Sequence, residues 1–104
     1  MSNMSEQLVS NVFKTLAHPT RIQIVKLLRE GEMCVCEILP NLDSEQSNTS
    51  QHLALLKNQG IVDSKKDGTK VIYSVKNKEV YQMIELAEAI ILRQIEETKS
   101  LLSK

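Results

Sequence analysis

The hydrophobic positions in the first part of the chain recur at helical spacing and predict three successive helices. Residues 5–16 carry an amphipathic stripe, and residues 20–30 are apolar around most of their circumference, which is typical of a helix at the centre of a core. Pro19 suits the first position of that second helix, and Gly31 suits its end. A shorter third helix is predicted over residues 33–42.

Residues 43–60 predict a fourth helix whose two halves differ in chemistry. The rear half carries an apolar stripe, formed by Leu53, Leu55 and Leu56. The front half carries short hydrogen-bonding side chains, namely Gln46, Ser47, Asn48, Thr49, Ser50, Gln51 and His52. Asp43 or Ser44 is expected to cap the helix, and Asp43 with Gln46 fits a capping box. A polar front on an apolar rear suits a helix that reads base edges in the DNA major groove.

The hydrophobic period changes after Gly60 and predicts a β-hairpin. Residues 61–65 and 70–76 are the two strands, and the second is rich in β-branched and aromatic residues. The turn between them, residues 66–69, contains an Asp-Gly pair, which is a strong hairpin signal.

A long final helix is predicted from Asn77 nearly to the end of the chain. Two apolar stripes run along it, one formed by Val80, Ile84, Ala87, Ile91 and Ile95 and the other by Met83, Leu86 and Ile90. Two stripes exceed what one domain's core needs, so a homodimer is expected, with a second copy of the helix as partner. The alternative is a terminal helix that lies across its own core.

The composition predicts a cytosolic protein without a strong net charge. A chain of 104 residues with 41% hydrophobic residues predicts one globular domain. No run approaches ~20 apolar residues and the N-terminus lacks a secretory pattern, so we expect no membrane span, a cytoplasmic location and reduced cysteines. Net charge is zero, although residues 44–76 hold five Lys against three acidic residues. That small excess predicts modest non-specific DNA affinity.

The order of elements predicts a winged helix-turn-helix, which is a mainly α-helical (α+β) fold with a β-hairpin wing. The order is four helices, two strands and a final helix. The boundaries are a flexible tail at 1–4, the helix-turn-helix at about 33–59, the wing at about 61–76 and a dimerisation helix at about 77–102. Such proteins read two-fold DNA sites as dimers, and we expect this dimer to form through the first and last helices.

Four segments, taken together, resemble the ArsR–SmtB family of arsenic- and metal-responsive repressors. They are LAHPTRIQIVKLL (16–28), MCVCEI (33–38), QSNTSQHLALLKNQGIV (46–62) and KKDGTKVIYSV (65–75). The resemblance implies a cytosolic dimeric repressor that leaves its operator DNA when an inducer binds. Two positions depart from the family pattern: His18 stands where many members carry a capping Asp, and Glu45 stands where Ser usually precedes Gln46.

Ten residues are predicted to contact operator DNA under this interpretation. They are Gln46, Ser47, Asn48, Thr49, Ser50, Gln51 and His52 on the fourth helix and Lys65, Lys66 and Lys70 on the wing. Gln and Asn can pair with adenine, Ser and Thr can serve bases or phosphates, and the lysines suit phosphate or the minor groove. The alternative is a solvated polar helix start beside a solvated charged turn.

Cys34 and Cys36 are the candidate sensor residues. Thiolates are soft ligands for arsenite, Cd, Pb, Zn or Cu(I), whereas buried cysteines also serve simply as small hydrophobes. On a regular helix two residues differ by about 200°, so the thiols would point to different sides. Both could then hold one ion only if the start of the helix unwinds. That distortion would disturb the support of the DNA-reading helix, which makes a plausible switch.

The resemblance implies a Cys-x-Cys metal or metalloid site here, without a third thiolate, because Leu39 occupies the nearby position. The family's zinc-type site on the last helix is rejected, because residues 77–104 contain no His. No obligatory cofactor is expected. Three inducer types stay open: arsenite on two thiolates plus an outside ligand, a dithiol redox change, or none.

Two other classes of function were weighed against a repressor. An enzyme is disfavoured, since the chain has no Gly-rich phosphate loop, zinc-protease motif or nucleophile elbow. A winged-helix protein-interaction module without DNA is disfavoured by the polar front of the fourth helix and the basic wing.

Overall fold

A computed structural model describes residues 2–42 and 46–103, apart from the side chains of Ser2, Gln46 and Ser47. Within these residues lie five α-helices: α1 (Ser2–Leu16), α2 (Pro19–Leu27), α3 (Val35–Ile38), α4 (Gln46–Asn58) and α5 (Glu79–Leu102). Short 3₁₀ turns follow α2 and α3, at Leu28–Glu30 and Leu39–Asn41. The three strands described are β1 (Met33–Cys34), β2 (Val62–Asp67) and β3 (Lys70–Val75). The predicted order of helices and hairpin is therefore found, with one strand added.

The added strand, β1, lies where the sequence predicted the start of the third helix. It pairs antiparallel with β3, with Met33 opposite Tyr73 and Cys34 opposite Ile72, and the sheet order is β1-β3-β2. The helix prediction for Met33 and Cys34 was wrong because the edge of β3 offers these residues backbone hydrogen bonds that local propensity does not reveal. The third helix is correspondingly short and gives way to a 3₁₀ turn around Pro40.

The wing is a tight hairpin with a turn one residue later than predicted. Its strands pair from Val62 with Val75 to Asp67 with Lys70, which leaves Gly68 and Thr69 as the two turn residues. Gly68 has φ +64°, whereas no residue other than glycine has positive φ among those described. Glycine at the first central position is what a type II′ hairpin turn requires, so Asp67 belongs to the strand.

The core is aliphatic and centred on α2 and α4. Ile24 and Val25 of α2 are fully buried, as are Leu56 of α4 and Ile38 of α3. Strand residues Val62 and Val75 close the core from the sheet side. The wide apolar girth of the second helix therefore reflects contacts with several elements at once.

The base of α5 is fastened to α2, whereas the rest of the helix is exposed. The Tyr81 hydroxyl donates a buried hydrogen bond of 2.7 Å to the Val25 carbonyl. The exposed ion pair Lys26–Glu88 (2.7 Å) joins the same two helices, and the exposed pair Arg29–Glu85 (2.8 Å) joins α5 to the 3₁₀ turn after α2. Beyond Ile84 every described residue of α5 is exposed.

The first helix also leaves apolar side chains on the surface. It begins at Ser2, earlier than the predicted Ser5, so residues 2–4, expected in a flexible tail, are helical. Leu8, Val9 and Phe13 are each more than half exposed. None of the helices described combines the length and apolarity needed to cross a membrane.

Candidate DNA-binding surface and thiol site

The helix α4 separates a buried face from an exposed polar face. Thr49, Leu53 and Leu56, spaced four and three residues apart, are at most 1% exposed. On the opposite side, Asn48, Ser50 and Gln51 are exposed. The third member of the predicted apolar stripe, Leu55, is also exposed, so the stripe is narrower than its sequence pattern indicates.

The predicted DNA-contacting residues of α4 do not all share its exposed face. Thr49 is fully buried and belongs to the core, because its position falls on the same helical face as Leu53. Thr49 was predicted to contact DNA, but its side chain is buried and does not face the solvent. Gln46 and Ser47 lie in the first turn of α4, with side chains outside the described residues. The predicted cap at Asp43 or Ser44, and Glu45, fall outside the described residues as well.

The end of α4 is fixed by a glycine. Gly60 has φ +75°, and the Ile61 amide donates to the Leu56 carbonyl (2.9 Å) while the Gly60 amide donates to the Lys57 carbonyl (3.0 Å). This pair of bonds is a Schellman motif. It turns the chain directly from α4 into β2, so the wing begins beside the candidate reading helix.

The three wing lysines are exposed, as predicted for groups that meet a phosphate backbone. Lys66 and Lys70 lie next to the turn, where Lys70 is paired with Asp67 in the ladder. Lys65 lies one step further back and its ammonium is 3.2 Å from the Glu32 carboxylate, with both side chains more than half exposed. Such an exposed pair is worth at most about 1 kcal/mol, so DNA can compete for Lys65.

A basic cluster, defined as His18, Arg21 and His52, lies where the start of α2 meets α4. His18 caps α2, because its Nδ1 accepts a 3.1 Å hydrogen bond from the Thr20 amide. The histidine thus serves as the N-cap at the position where the sequence pattern of the family has Asp. The His18 and His52 ring centroids are 4.3 Å apart. Arg21 Nε and His52 Nδ1 are buried without a hydrogen-bond partner.

Electrostatics in the basic cluster disfavour extra positive charge. Burial lowers the pKa of His52, and the nearby charges of His18 and Arg21 lower it further. The sequence drew attention to His52 alone. Arg21 was missed, because its relevance depends on where His52 lies in space, and the unusual cap at His18 was the available hint.

The thiol site consists of Cys34 at the end of β1 and Cys36 in α3. Cys34 is 2% exposed while Cys36 is exposed, so only one of the two lies in the core. Their sulfur atoms are joined as a disulfide, with the Cα atoms 5.2 Å apart. This differs from the reduced thiols expected from the sequence.

The disulfide is possible because Cys34 is not helical. Its backbone is extended, with φ −79° and ψ 164°, and it serves as the N-cap of α3. The predicted separation of the two thiols by a regular helix was therefore wrong. The Glu37 carboxylate accepts a 3.1 Å hydrogen bond from the Cys34 amide and holds this turn in place. Once reduced, the two sulfurs can approach one ion without any unwinding of the helix.

The thiol site offers two sulfur ligands. No group of three or more His, Cys, Asp or Glu residues with metal-binding geometry occurs in residues 2–42 and 46–103. The donor set fits a soft ion or metalloid that takes two thiolates and completes its coordination from outside the protein. It does not fit a closed four-ligand structural zinc site.

Comparisons with known proteins match this arrangement of helices and wing. Residues 18–64 match the model of the family described as bacterial regulatory protein, arsR family. The cadmium resistance transcriptional regulatory protein CadC of Listeria innocua is 41% identical over 83% of this chain and 73% of its own length. The arsenical resistance operon repressor of Escherichia coli is 46% identical over 67% of this chain and 61% of its own length.

A solved structure agrees with the fold over nearly the whole chain. The homodimeric winged helix-turn-helix DNA-binding domain of a possible ArsR-family regulator from Mycobacterium bovis has a TM-score of 0.79 and 27% identity. The match covers 92% of this chain and 89% of that one. Relatives and fold are those of transcriptional regulators, not enzymes. The chain therefore belongs to the ArsR family of bacterial transcriptional regulators and has its winged helix-turn-helix fold.

Proposed function

We propose that the protein is a dimeric, sequence-specific transcriptional repressor that acts on operator DNA in the cytoplasm. The observation that carries the proposal is the two-sided character of α4. Thr49, Leu53 and Leu56 fix the helix to the core, so Asn48, Ser50 and Gln51 project from a rigid support. A rigid helix with exposed amides and hydroxyls suits base-edge hydrogen bonding in the major groove.

The wing supplies the second contact of the proposed interface. Lys66 and Lys70 lie at the tip of a hairpin that leaves α4 through the Gly60 turn. Lysines there would neutralise phosphates or enter the adjacent minor groove, which adds affinity and sets the register of α4.

A second copy of the chain is the proposed occupant of the apolar surface on α1 and α5. An apolar groove of about 410 Å³ runs between these helices and α2, bounded by Phe13, Ile84 and Ile91. Exposed side chains extend the surface along α5, namely Leu86, Ile90, Leu92 and Ile95. Large apolar side chains exposed in this number along one helix indicate an association surface. The similar Mycobacterium bovis domain is homodimeric, and a two-fold pair would present two copies of α4 to one duplex.

Arsenite or a soft metal ion at Cys34 and Cys36 is the proposed inducer. The similarity to a cadmium resistance regulator and an arsenical resistance repressor supports this class of ligand. Two reduced thiols condense with As(OH)₃ to give a dithiolate that keeps one hydroxide, with release of two waters. The extended backbone at Cys34 allows this bidentate binding.

The pairing of β1 with β3 provides a route from the thiol site to DNA. Cys34 lies opposite Ile72, in the middle of the strand that leads from the wing tip. Glu37 links the Cys34 amide to α3, which precedes α4. A ligand that reshapes this turn acts on the wing and on α3 together. It releases DNA to the extent that it binds the reshaped form more tightly.

A dithiol redox sensor is the second candidate, favoured by the disulfide between Cys34 and Cys36. Peroxide would oxidise the two thiols to that disulfide and be reduced to two waters. The same β1 turn would then be the element that changes. A regulator without an inducer is the remaining alternative.

The test separates these candidates on one complex. A duplex is isolated by repeated selection from a random library with the reduced protein, and release is followed by gel shift. Phenylarsine oxide, arsenite and Cd are compared with peroxide, using wild type and a Cys34→Ser/Cys36→Ser variant as control. We expect release by the arsenicals from wild type alone.

Each other outcome has a distinct meaning. Release by peroxide that a reductant reverses supports the redox sensor. If a compound releases both wild type and the cysteine variant from DNA, or no compound releases either, a cysteine-dependent inducer is contradicted. The repressor proposal is then left intact. Failure to select any duplex contradicts the repressor proposal itself.

A further inference from the structure

The basic cluster of His18, Arg21 and His52 concentrates three nitrogen-bearing side chains that have no acidic partner among the described residues. Among the residues described, none of the ion pairs involves any of the three. Two of their nitrogens, Arg21 Nε and His52 Nδ1, are buried and unsatisfied. Buried polar groups are normally hydrogen-bonded, so these two nitrogens are exceptions that need an explanation.

Other cations of the same helix region are satisfied within the fold. Lys26 is paired with Glu88, and Arg29 with Glu85. Both carboxylate partners, Glu85 and Glu88, belong to α5. Unlike Lys26 and Arg29, the basic cluster has no carboxylate partner among the described residues. Its positive charge is therefore complementary to an anion.

The position of His52 on α4 connects the cluster to the proposed DNA-binding face. It follows Asn48 by four residues and Gln51 by one, and it is half-buried between the exposed and the core faces of the helix. A helix in the major groove has the phosphate backbone along its edges. The anion nearest to the cluster would therefore be a backbone phosphate.

We propose that His18, Arg21 and His52 together bind one phosphodiester of the operator backbone on each protomer. The inference rests on the proposed function and adds two residues, His18 and Arg21, to the contacts expected from α4 and the wing. Phosphate positions the reading helix here and carries no sequence information.

Each side chain of the basic cluster would contribute differently to phosphate binding. Arg21 supplies a permanent charge. His18 accepts from the Thr20 amide at Nδ1, so its neutral ring carries a proton at Nε2 and can donate there while it caps α2.

His52 is the group that can change its charge as DNA binds. Within residues 2–42 and 46–103, the charged groups that act on it are His18 at the start of α2 and Arg21 on its first turn. Burial and these two groups lower its pKa in the free protein, so at neutral pH the ring is mainly neutral. A phosphate beside the ring favours the charged form. Operator binding should therefore take up a proton from solvent.

The experiment measures affinity for the selected duplex as a function of pH and salt. From about pH 8 to about pH 6 we expect wild-type affinity to rise, by up to about tenfold per protomer for each pKa unit that DNA adds to His52. His52→Gln should flatten this dependence. Arg21→Gln should reduce the slope of log affinity against log salt by about 0.9 per protomer, while Arg21→Lys retains it. Arg29→Gln, which removes the same charge near Glu85, is the matched control.

The source of the phosphate is tested by following the His52 ring protons by NMR. The selected duplex should raise the titration midpoint, and inorganic phosphate at equal ionic strength should not. A rise with inorganic phosphate alone would assign the cluster to the free anion and overturn the inference. An equal salt slope in Arg21→Gln and wild type, or an unchanged pH dependence in His52→Gln, would overturn it too. Circular dichroism confirms that each variant is folded. If no duplex can be selected at all, it is the proposed function that fails.

Discussion

The helices α4 and α5 leave opposite chemistries on the surface of the same small protein. Helix α4 buries Leu53 and Leu56 and exposes Ser50 and Gln51. Helix α5 buries only Val80 and Tyr81 and exposes a long row of Leu and Ile. Burial of apolar area drives association, whereas exposed amides and hydroxyls give directional hydrogen bonds. The surface of α5 is therefore suited to a second copy of the chain, and that of α4 to a polar ligand such as DNA.

The largest expected loss of operator affinity comes from placing a charge on the apolar surface of α5. Ile91→Glu puts a charge into the apolar surface, since the Ile91 side chain is 53% exposed and its replacement leaves the monomer core intact. We expect monomers by analytical ultracentrifugation and a loss of operator affinity of about 10²- to 10⁴-fold, because two linked half-sites bind together. Leu101→Glu, the same change near the exposed end of α5, is the control. A variant that stays dimeric would contradict the assignment of this surface.

A smaller loss is expected when α4 loses its polar groups. Ser50→Ala with Gln51→Ala removes hydrogen bonds to bases worth about 1–3 kcal/mol per protomer, hence roughly five- to 150-fold in discrimination. The dimer and its melting temperature should be unchanged. Competition gel shifts with selected and scrambled duplexes measure the ratio. The matched pair Asn58→Ala with Gln59→Ala, at the other end of the helix, should retain it. Full discrimination by the first variant would refute the role of this face.

The attachment of α5 to the core gives a moderate effect on stability. Tyr81→Phe removes the hydroxyl that donates a buried hydrogen bond to the Val25 carbonyl. The expected cost is about 0.5–1.5 kcal/mol of unfolding free energy, measured by urea denaturation. Glu88→Gln, which breaks an exposed ion pair between the same helices, should cost less than about 1 kcal/mol. Equal costs would show that the hydroxyl does not hold α5 in place.

The smallest effect concerns the unbound protein in acid. Because the fold lowers the pKa of His52, the folded state binds fewer protons than the unfolded chain, whose histidine titrates near 6.5. The contribution to stability is present above that pH and is lost as pH falls towards the lowered folded value. Thermal melts from about pH 7.5 to about pH 5 should therefore show a smaller decline for His52→Gln than for wild type. An identical decline would remove His52 from the acid response.

The long helices and the hairpin could be predicted because their signals are local. Apolar periodicity located α2, α4 and α5, Pro19 marked the start of α2 and Gly60 marked the end of α4. The strand β1 could not be found in this way, since two residues have no period and their conformation depends on the distant β3. The same error placed Cys34 on a helix and separated it from Cys36.

The candidate site was predictable in part for a related reason. Residue type identified the polar front of α4, but only the packing of the helix shows that Thr49 faces inward. The basic cluster combines the start of α2 with α4, and whether a carboxylate lies near it in the described part of the chain depends on how these elements pack. Sequence patterns predict which polar side chains a helix or strand contains. The packing of helices and strands against one another decides which of those side chains stay exposed and can bind a ligand.

The most direct test of the central claim is the stoichiometry and footprint of the complex with the selected duplex. Native mass spectrometry and guanine-N7 methylation interference report both on one sample. We expect two chains per duplex and two major-groove segments about one helical turn apart, roughly 34 Å or 10 base pairs. A single chain on the duplex, or binding that guanine-N7 methylation does not affect, would contradict a dimer that reads the major groove.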